Sequence, residues 1–258
     1  MNTLEIISSS QNTQIKLLGK LGQKKYRQQL GQFMVENLAI IHDALTGGHD
    51  FKSIFVTQEF IASRPEKFAY LQAHSACAQW YVVDQKLNKQ YSQLETPSGI
   101  TAVYDIQESI LTLGQSVIYL NGISDPGNLG TILRTALAFG FENVVMDETC
   151  VDVLNYKTIN AAKDAFFKLN IIEDREVAWL KGTSLPIYAA NSDGGVALAQ
   201  FQPEAVFCLV LGSESHGVSE EILKLSQASV KIEISDQMES LNVAMAAGIL
   251  LYALRRVI

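Results

Sequence analysis

The chain is poor in the residues that build stapled, metal-bound or lipid-embedded proteins. Its three cysteines, Cys77, Cys150 and Cys208, lie far apart with no C-x-x-C pairing. That pattern suggests neither a disulfide framework nor a zinc site, and it fits a reducing cytoplasm. Cys208 lies inside the apolar run Val206-Phe207-Cys208-Leu209-Val210-Leu211, where a thiol reads as a small buried hydrophobe and not as a nucleophile. The longest apolar segment, Val243 to Leu254, falls short of the roughly 20 residues a membrane helix needs, so no membrane association is expected. Met1-Asn2-Thr3-Leu4-Glu5 has no basic region followed by an apolar stretch, so no secretory signal is expected.

Histidine is scarce too: His42, His49, His74 and His216. Ser215-His216-Gly217 invites comparison with the G-x-S-x-G nucleophile elbow of hydrolases. The first glycine of that motif is Ser213 here, however, and no histidine lies further downstream to act as base, which argues against a hydrolase. His216 reads as an exposed loop residue. There is no excess of positive charge either: 20 Lys and Arg against 27 Asp and Glu give a net charge of -7, which argues against coating nucleic acid by charge alone but leaves room for a local basic surface.

The charge is unevenly spread. Residues 1–107 carry 10 basic and 9 acidic side chains, residues 108–258 carry 10 and 18. Lys16, Lys20, Lys24, Lys25 and Arg27 fall in twelve positions that contain no acid, either a phosphate-facing patch or a solvated helix face. With 48% hydrophobic and 18% charged residues over 258 positions, the chain can bury a core, as one large domain or two modest ones.

Strand-like and helix-like segments alternate, which predicts an α/β architecture with mostly parallel strands. In the first half, strands are expected at Phe33-Met34-Val35, Ser53 to Thr57, Trp80 to Val83 and Ile100 to Tyr104. A helix is expected from Asn37 to Thr46, closed by Gly47-Gly48. The pattern weakens between Ile106 and Gly114, the expected linker, so the domains are expected at 1–107 and 108–258. Beyond it, strands are expected at Val117 to Leu120, Asn143 to Met146, Leu185 to Ala190, Val206 to Leu211 and Val230 to Ile234. The last helix, Leu241 to about Arg256, is apolar on nearly every face and should be buried twice, against its own sheet and against something else such as a second subunit.

Three segments combine glycines with polar residues where strands end and helices begin. Asn121 to Ala136 contains Gly122, Gly127 and Gly130, a spacing unlike G-x-G-x-x-G. Such a turn aims N–H groups and a positive helix end at an anion. Asn128 is the expected cap. Arg134 follows Gly130 by one turn on the same side, and its side chain leans back toward the site. In Leu211-Gly212-Ser213-Glu214-Ser215-His216-Gly217, two glycines at the end of a buried strand permit close backbone approach around Glu214. In the third, Ser240 is a good cap and Asn242 has no helical advantage over alanine. Ala244, Ala246, Ala247 and Gly248 leave room for a close helix neighbour.

In this order and at these separations, the three segments resemble the signature motifs of the SpoU (TrmH-like) branch of the SPOUT RNA methyltransferases. The first motif, N-x-x-D-P-x-N-x-G-x-x-x-R-x-A, is met by Asn121, Asp125, Pro126, Asn128, Gly130, Arg134 and Ala136. The second, G-x-E-x-x-G-[LVM]-S, is met by Gly212, Glu214, Gly217, Val218 and Ser219. The third, E-S-L-N-V-[SA], is met by Glu239 to Ala244. Residues 1–105 resemble the family's small N-terminal α/β substrate-binding domain, through the basic run followed by Phe33-Met34-Val35-Glu36.

The resemblance implies an S-adenosylmethionine-dependent ribose 2'-O-methyltransferase of structured RNA, transfer or ribosomal, acting as a homodimer through the C-terminal helix. It implies a parallel sheet whose C-terminal part is threaded into a trefoil knot, against the usual rule. Asn128, Arg134, Glu214, Ser240 and Asn242 match the family's catalytic positions, with Arg134 orienting phosphate and hydroxyl and Glu214 bracing Arg134. Leu211, Gly212, Gly217, Ile232 and Leu241 match its cofactor loops, and Lys16, Lys20, Lys24, Lys25 and Arg27 would meet RNA. The chain departs from the family pattern in several places. Asn160-Ala161-Ala162-Lys163-Asp164 replaces an Arg-Ala-Ser-x-Gly stretch, Glu233 and Asp236 replace a proline and a glycine, and Ser215 replaces a glycine. These departures motivate a second reading, a catalytically weak or inactive relative that binds RNA. A small-molecule methyltransferase on the same fold is a third, discouraged by the basic run.

Overall fold

The computed structural model describes residues 4–75 and 79–255. Cys77, the first three residues and the expected end of the last helix at Arg256 lie outside them. The chain divides into two compact units, residues 1–107 with 154–160, and residues 108–153 with 161–258. The short segment 154–160 joins the first unit through its buried Thr158 and Ile159 and through Asn160, whose Oδ1 accepts from Asn37 Nδ2 at 3.1 Å.

The first unit is a five-stranded sheet of β1 (Leu4–Ile7), β2 (Gln32–Val35), β3 (Ser53–Thr57), β4 (Gln79–Val83) and β5 (Ile100–Asp105), in the order β1-β4-β3-β5-β2. β1, β4 and β3 run parallel, and β5 runs antiparallel to β3 and β2. β1 escaped sequence reading because a four-residue run with a charge in it carries too little periodicity. The expected helix forms at Leu38–Thr46, with Asn37 as its cap. Glu36 follows β2 and is buried. Burial lifts its pKa above the ordinary carboxylate range, against the opposing pull of the Ser92 side chain and the Gln93 N–H.

One member of the basic run is not where charge alone put it. Lys16, Lys20, Lys24 and Lys25 are exposed on the helices Thr13–Leu21 and Lys24–Leu30, and the Lys20 and Lys25 ammonium groups lie 5.7 and 5.9 Å from the Tyr26 ring centre. Arg27 is only 5% exposed and donates from Nη1 to Leu21 O at 2.8 Å. It closes the chain between the two helices, and so cannot serve the phosphate role expected of it.

The second unit is a seven-stranded, wholly parallel sheet: β6 (Val117–Leu120), β7 (Asn143–Asp147), β8 (Asn170–Asp174), β9 (Ile187–Ala190), β10 (Val196–Ala197), β11 (Cys208–Leu211) and β12 (Ala228–Lys231), in the order β10-β12-β9-β11-β6-β7-β8. β6, β9 and β11 are almost continuously apolar, as strands covered on both faces must be. One face packs against the helices Pro126–Ala138 and Val243–Leu254, through Leu129, Ile132, Leu133 and Ala136 from the first and Ala247, Leu250 and Leu251 from the second. The expected small-residue contact between them forms where Gly248 faces Thr135: a Cβ at 248 would lie 4.0 Å from Thr135 Cγ2. Cys150 and Cys208 are buried free thiols. Burial, then the neighbouring Asp147 carboxylate, pushes the Cys150 thiol up to about 12, and burial lifts that of Cys208 too.

No described helix is long and apolar enough to cross a membrane. The last helix buries one face only, leaving Met245, Ile249 and Tyr252 exposed. The all-round burial expected of it is therefore absent within a single chain.

Candidate active site

Because all seven strands are parallel, every carboxyl end lies along one edge of the sheet. β6 and β11 sit side by side, with Leu120 opposite Leu211, although the chain leaves β6 toward β7 and β8 and reaches β11 only after laying down β9 on its far side. That reversal is the switch point where ligands gather in open parallel sheets. It brings the turn after β6 beside the loop after β11, so that Asn121 N donates to Leu211 O at 2.9 Å.

The loop after β11 is a tight one. Ser213 and Gly217 exchange both backbone hydrogen bonds, at 3.0 and 2.9 Å, and Gly217 has φ +64°, a backbone region glycine enters at no steric cost. Gly212 is fixed by close approach: a Cβ there would lie 2.1 Å from Gly217 C and 2.2 Å from Val218 N. The closure presents Glu214, Ser215 and His216 to solvent. Ser215 Oγ and His216 Nδ1 lie 2.7 Å apart.

Asp125 caps the helix Pro126–Ala138, its Oδ1 accepting from Asn128 N at 2.8 Å. The expectation that Asn128 is the cap is thus corrected: it sits three residues further in, which frees its side chain. Asn128 Nδ2 donates to Glu214 Oε1 at 2.6 Å, and Asn128 Oδ1 accepts from Asn242 Nδ2 at 3.1 Å. Glu214 therefore braces Asn128, and no bond to Arg134 is found where one was expected. Asn242, not Ser240, caps the last helix, accepting from Ala244 N at 2.9 Å and Met245 N at 3.3 Å. Its amide thus serves two ends at once. Three segments separated by 86 and 114 residues meet at Asn128. Two helix N-termini converge there, a favourable setting for an anion.

Arg134 is exposed, and among the described residues its guanidinium has no hydrogen bond or ion pair. It lies one turn after Gly130 and Thr131, on the same side of the helix. Ser240 is exposed and its side chain makes no hydrogen bond among the described residues, and Leu241 is 37% exposed. Leu211 is buried at the end of β11. Ile232, past the end of β12, packs against the same core as Val243, with β9 between β12 and β11. The geometry thus joins Asn128, Glu214 and Asn242 directly and sets Gly212, Gly217 and Leu241 beside them. It does not join Ser240 or Ile232 to that network. Glu233 and Asp236 are exposed. Asp147, which no motif contains, takes Asn121 Nδ2 at 2.5 Å. Only the pairing of β6 with β7 puts it there.

A parallel sheet with a switch point, and three polar loops meeting above it, is an arrangement suited to binding a ligand at the carboxyl edge of the strands. Residues 115–252 match the SpoU rRNA methylase family, and residues 12–102 match the MRM3-like substrate binding domain. The chain belongs to the SpoU methylase family. It is 30% identical to the 23S rRNA (guanosine(2553)-2'-O)-methyltransferase RlmP of Bacillus subtilis, over 96% of this chain and 98% of that one. Among solved structures it is similar to a putative RNA methyltransferase of the TrmH family from Porphyromonas gingivalis, with TM-score 0.80 and 28% identity over 94% and 96% of the two chains. It also shares its fold with the AdoMet-bound rRNA methyltransferase of Sinorhizobium meliloti, with TM-score 0.83 and 24% identity over 97% of each chain.

Proposed function

We propose that this protein transfers a methyl group from S-adenosylmethionine to a ribose 2'-hydroxyl of ribosomal RNA, in the cytoplasm. The observation that carries the reading is the double bonding of Asn128 to Glu214 and Asn242, which assembles the family's polar residues from three distant segments. The likeness to RlmP along nearly the whole chain favours ribosomal over transfer RNA. The cofactor fits the residues present. Gly212 lets the loop backbone close on itself, since a Cβ there would overlap Gly217 and Val218, and this leaves main-chain groups and the apolar Leu241 and Ile232 at the same sheet edge to meet the cofactor. When bound, S-adenosylmethionine supplies a sulfonium methyl that is already electrophilic.

The protein's part is aim and proton management, because a ribose hydroxyl is a poor nucleophile near neutral pH. Arg134 stays protonated in proteins and is a weak base. Exposed and unpaired, it is suited to hold the phosphate beside the target ribose and so orient the hydroxyl. Asn128 and Asn242, each locked by its partners, position the sugar, and Ser240 stands at the same mouth. Glu214 fixes the amide of Asn128 by a charge-assisted bond. Lys16, Lys20, Lys24 and Lys25 would hold RNA phosphates at the first unit.

The knotted threading of the C-terminal segment and a homodimer belong to the same reading. Support for the dimer is the exposed apolar stripe of Met245 (63%), Ile249 (38%) and Tyr252 (56%), at helical spacing along the last helix. Mass-spectrometric mapping of ribose methylation in ribosomal RNA, from cells with and without the protein, tests the function. Loss of one 2'-O-methyl site is expected. No change at any site, with no calorimetric binding of S-adenosylmethionine at millimolar ligand, would leave the inactive RNA-binding relative as the better reading.

A further inference from the structure

Asp147 stands at the end of β7, 7% exposed, and belongs to none of the three motif segments. Its Oδ1 accepts from Gly122 N (3.2 Å), Thr149 N (3.0 Å), Thr149 Oγ1 (2.7 Å) and Cys150 N (3.1 Å), and its Oδ2 accepts from Asn121 Nδ2 (2.5 Å). A carboxylate only accepts, so it dictates which way the Asn121 amide points. With Nδ2 turned to Asp147, Asn121 Oδ1 faces the loop after β11 and accepts from Ser219 N at 2.8 Å. Asn121 opens the turn that leads to Asn128, and Ser219 closes the loop that carries Glu214.

We propose that Asp147, acting through Asn121, is a positioning residue for methyl transfer: it holds the turn after β6 and the loop after β11 at the spacing at which Asn128 meets Glu214. The inference rests on the methyltransferase reading above. A displacement of about 1 Å at a catalytic constellation costs about 100-fold in rate, and among the described residues the other hydrogen bond that ties these two loops together from beneath is the strand-end bond from Asn121 N to Leu211 O.

Exchanging the two residues tests it. In Asp147→Asn, keeping the oxygen toward the backbone N–H groups sets one amide NH2 against another. In Asn121→Asp, two carboxylates face each other. In the double variant every hydrogen bond is restored with the polarity of the pair reversed, because the carboxylate then accepts both from position 147 and from Ser219 N. Each single variant of the full-length protein should lose about 10- to 100-fold in kcat at saturating substrates, with KM for RNA within about threefold. The double variant should return to within about threefold of the wild type. Relative to wild type, the Asn121→Asp loss should deepen as pH rises, because facing carboxylates share a proton at low pH, whereas the Asp147→Asn loss should not.

Wild-type kcat in both single variants, or a double variant no better than the worse single, would overturn the proposal. Where a single variant fails to fold, Ser219→Pro decides: Ser219 has φ -61°, which proline adopts, so the N–H that bonds Asn121 is removed together with a hydroxyl that makes no cap hydrogen bond. The same fall in kcat is expected there, and an unchanged kcat would refute the link. Affinity for S-adenosylhomocysteine keeps this test apart from the functional reading. A wild type that binds it yet methylates no ribosomal RNA refutes the proposed substrate. Loss of at least about tenfold in its binding in the singles, restored in the double, would still support the positioning role.

Discussion

Replacing Asn128 with alanine removes a side chain that bonds both other motif segments. The bond to the Glu214 carboxylate belongs to the charge-assisted class, worth about 1.5–3 kcal/mol, and the bond to Asn242 to the neutral class, about 0.5–1.5 kcal/mol. Glu214 and Asn242 are exposed and Asn128 is half-buried, so water takes up both partners when the amide is gone. The stability loss should therefore be near about 1 kcal/mol, small against a total of about 5–15 kcal/mol, and equivalent to about 2–4 °C in Tm. The helix keeps its cap, because Asp125 accepts from a backbone N–H.

Activity should suffer far more. Without Asn128, no hydrogen bond among the described residues couples the 213–217 loop to the mouth of the last helix, and misplacement of about 1 Å costs about 100-fold in rate. Single-turnover transfer of a labelled methyl group, with a melting curve for each variant, measures both quantities. Asn242→Ala removes the same contact and a cap worth about 0.5–2 kcal/mol. The double variant should thus be little slower than the worse single. A rate loss under about threefold in Asn128→Ala, or losses in the two variants that simply multiply, would show that the three segments do not act as one unit.

Gly212→Ala should abolish cofactor binding by calorimetry, because its Cβ would overlap the Gly217–Val218 peptide and force the loop open, at a cost of about 1–3 kcal/mol in melting stability. Within the basic run, changing Lys16, Lys20, Lys24 and Lys25 together to glutamine should flatten the salt dependence of RNA binding by up to about 3 in logarithmic slope with no change in Tm. Arg27→Ala should instead lower stability by about 2 kcal/mol or more, through its buried bond to Leu21 O. Glu36 has a raised folded-state pKa, so its contribution is full at pH values below the ordinary carboxylate range and is lost as pH rises through the raised value. Glu36→Gln, which keeps the acceptor for Gln93 N, should therefore raise Tm near about pH 7, and the gain should vanish in acid. A gain of equal size at every pH would contradict burial of the charge as its cause.

Much of this protein was legible in one dimension because the physics involved is local. Apolar runs that give way to polar and glycine residues mark the buried parallel strands β6 and β11, whereas the helix starts lie a few residues off the expected caps, at Asp125 in place of Asn128 and at Asn242 in place of Ser240. The shared order of the three polar segments pointed to the family and to Asn128, Glu214 and Asn242. What local chemistry could not decide was who faces whom. Arg27 has the same charge as its four lysine neighbours, and only packing buries it. Asp125 and Asn128 are both able caps, and the helix start chose the first and released the second to join Glu214 and Asn242. Asp147 looks like any acid at a strand end, and its role arises from β7 lying next to β6 while β11 closes in from the other side. Strand order and helix contact are set by long-range burial, which depends on the whole core, so they belong to the folded molecule and not to any segment of it.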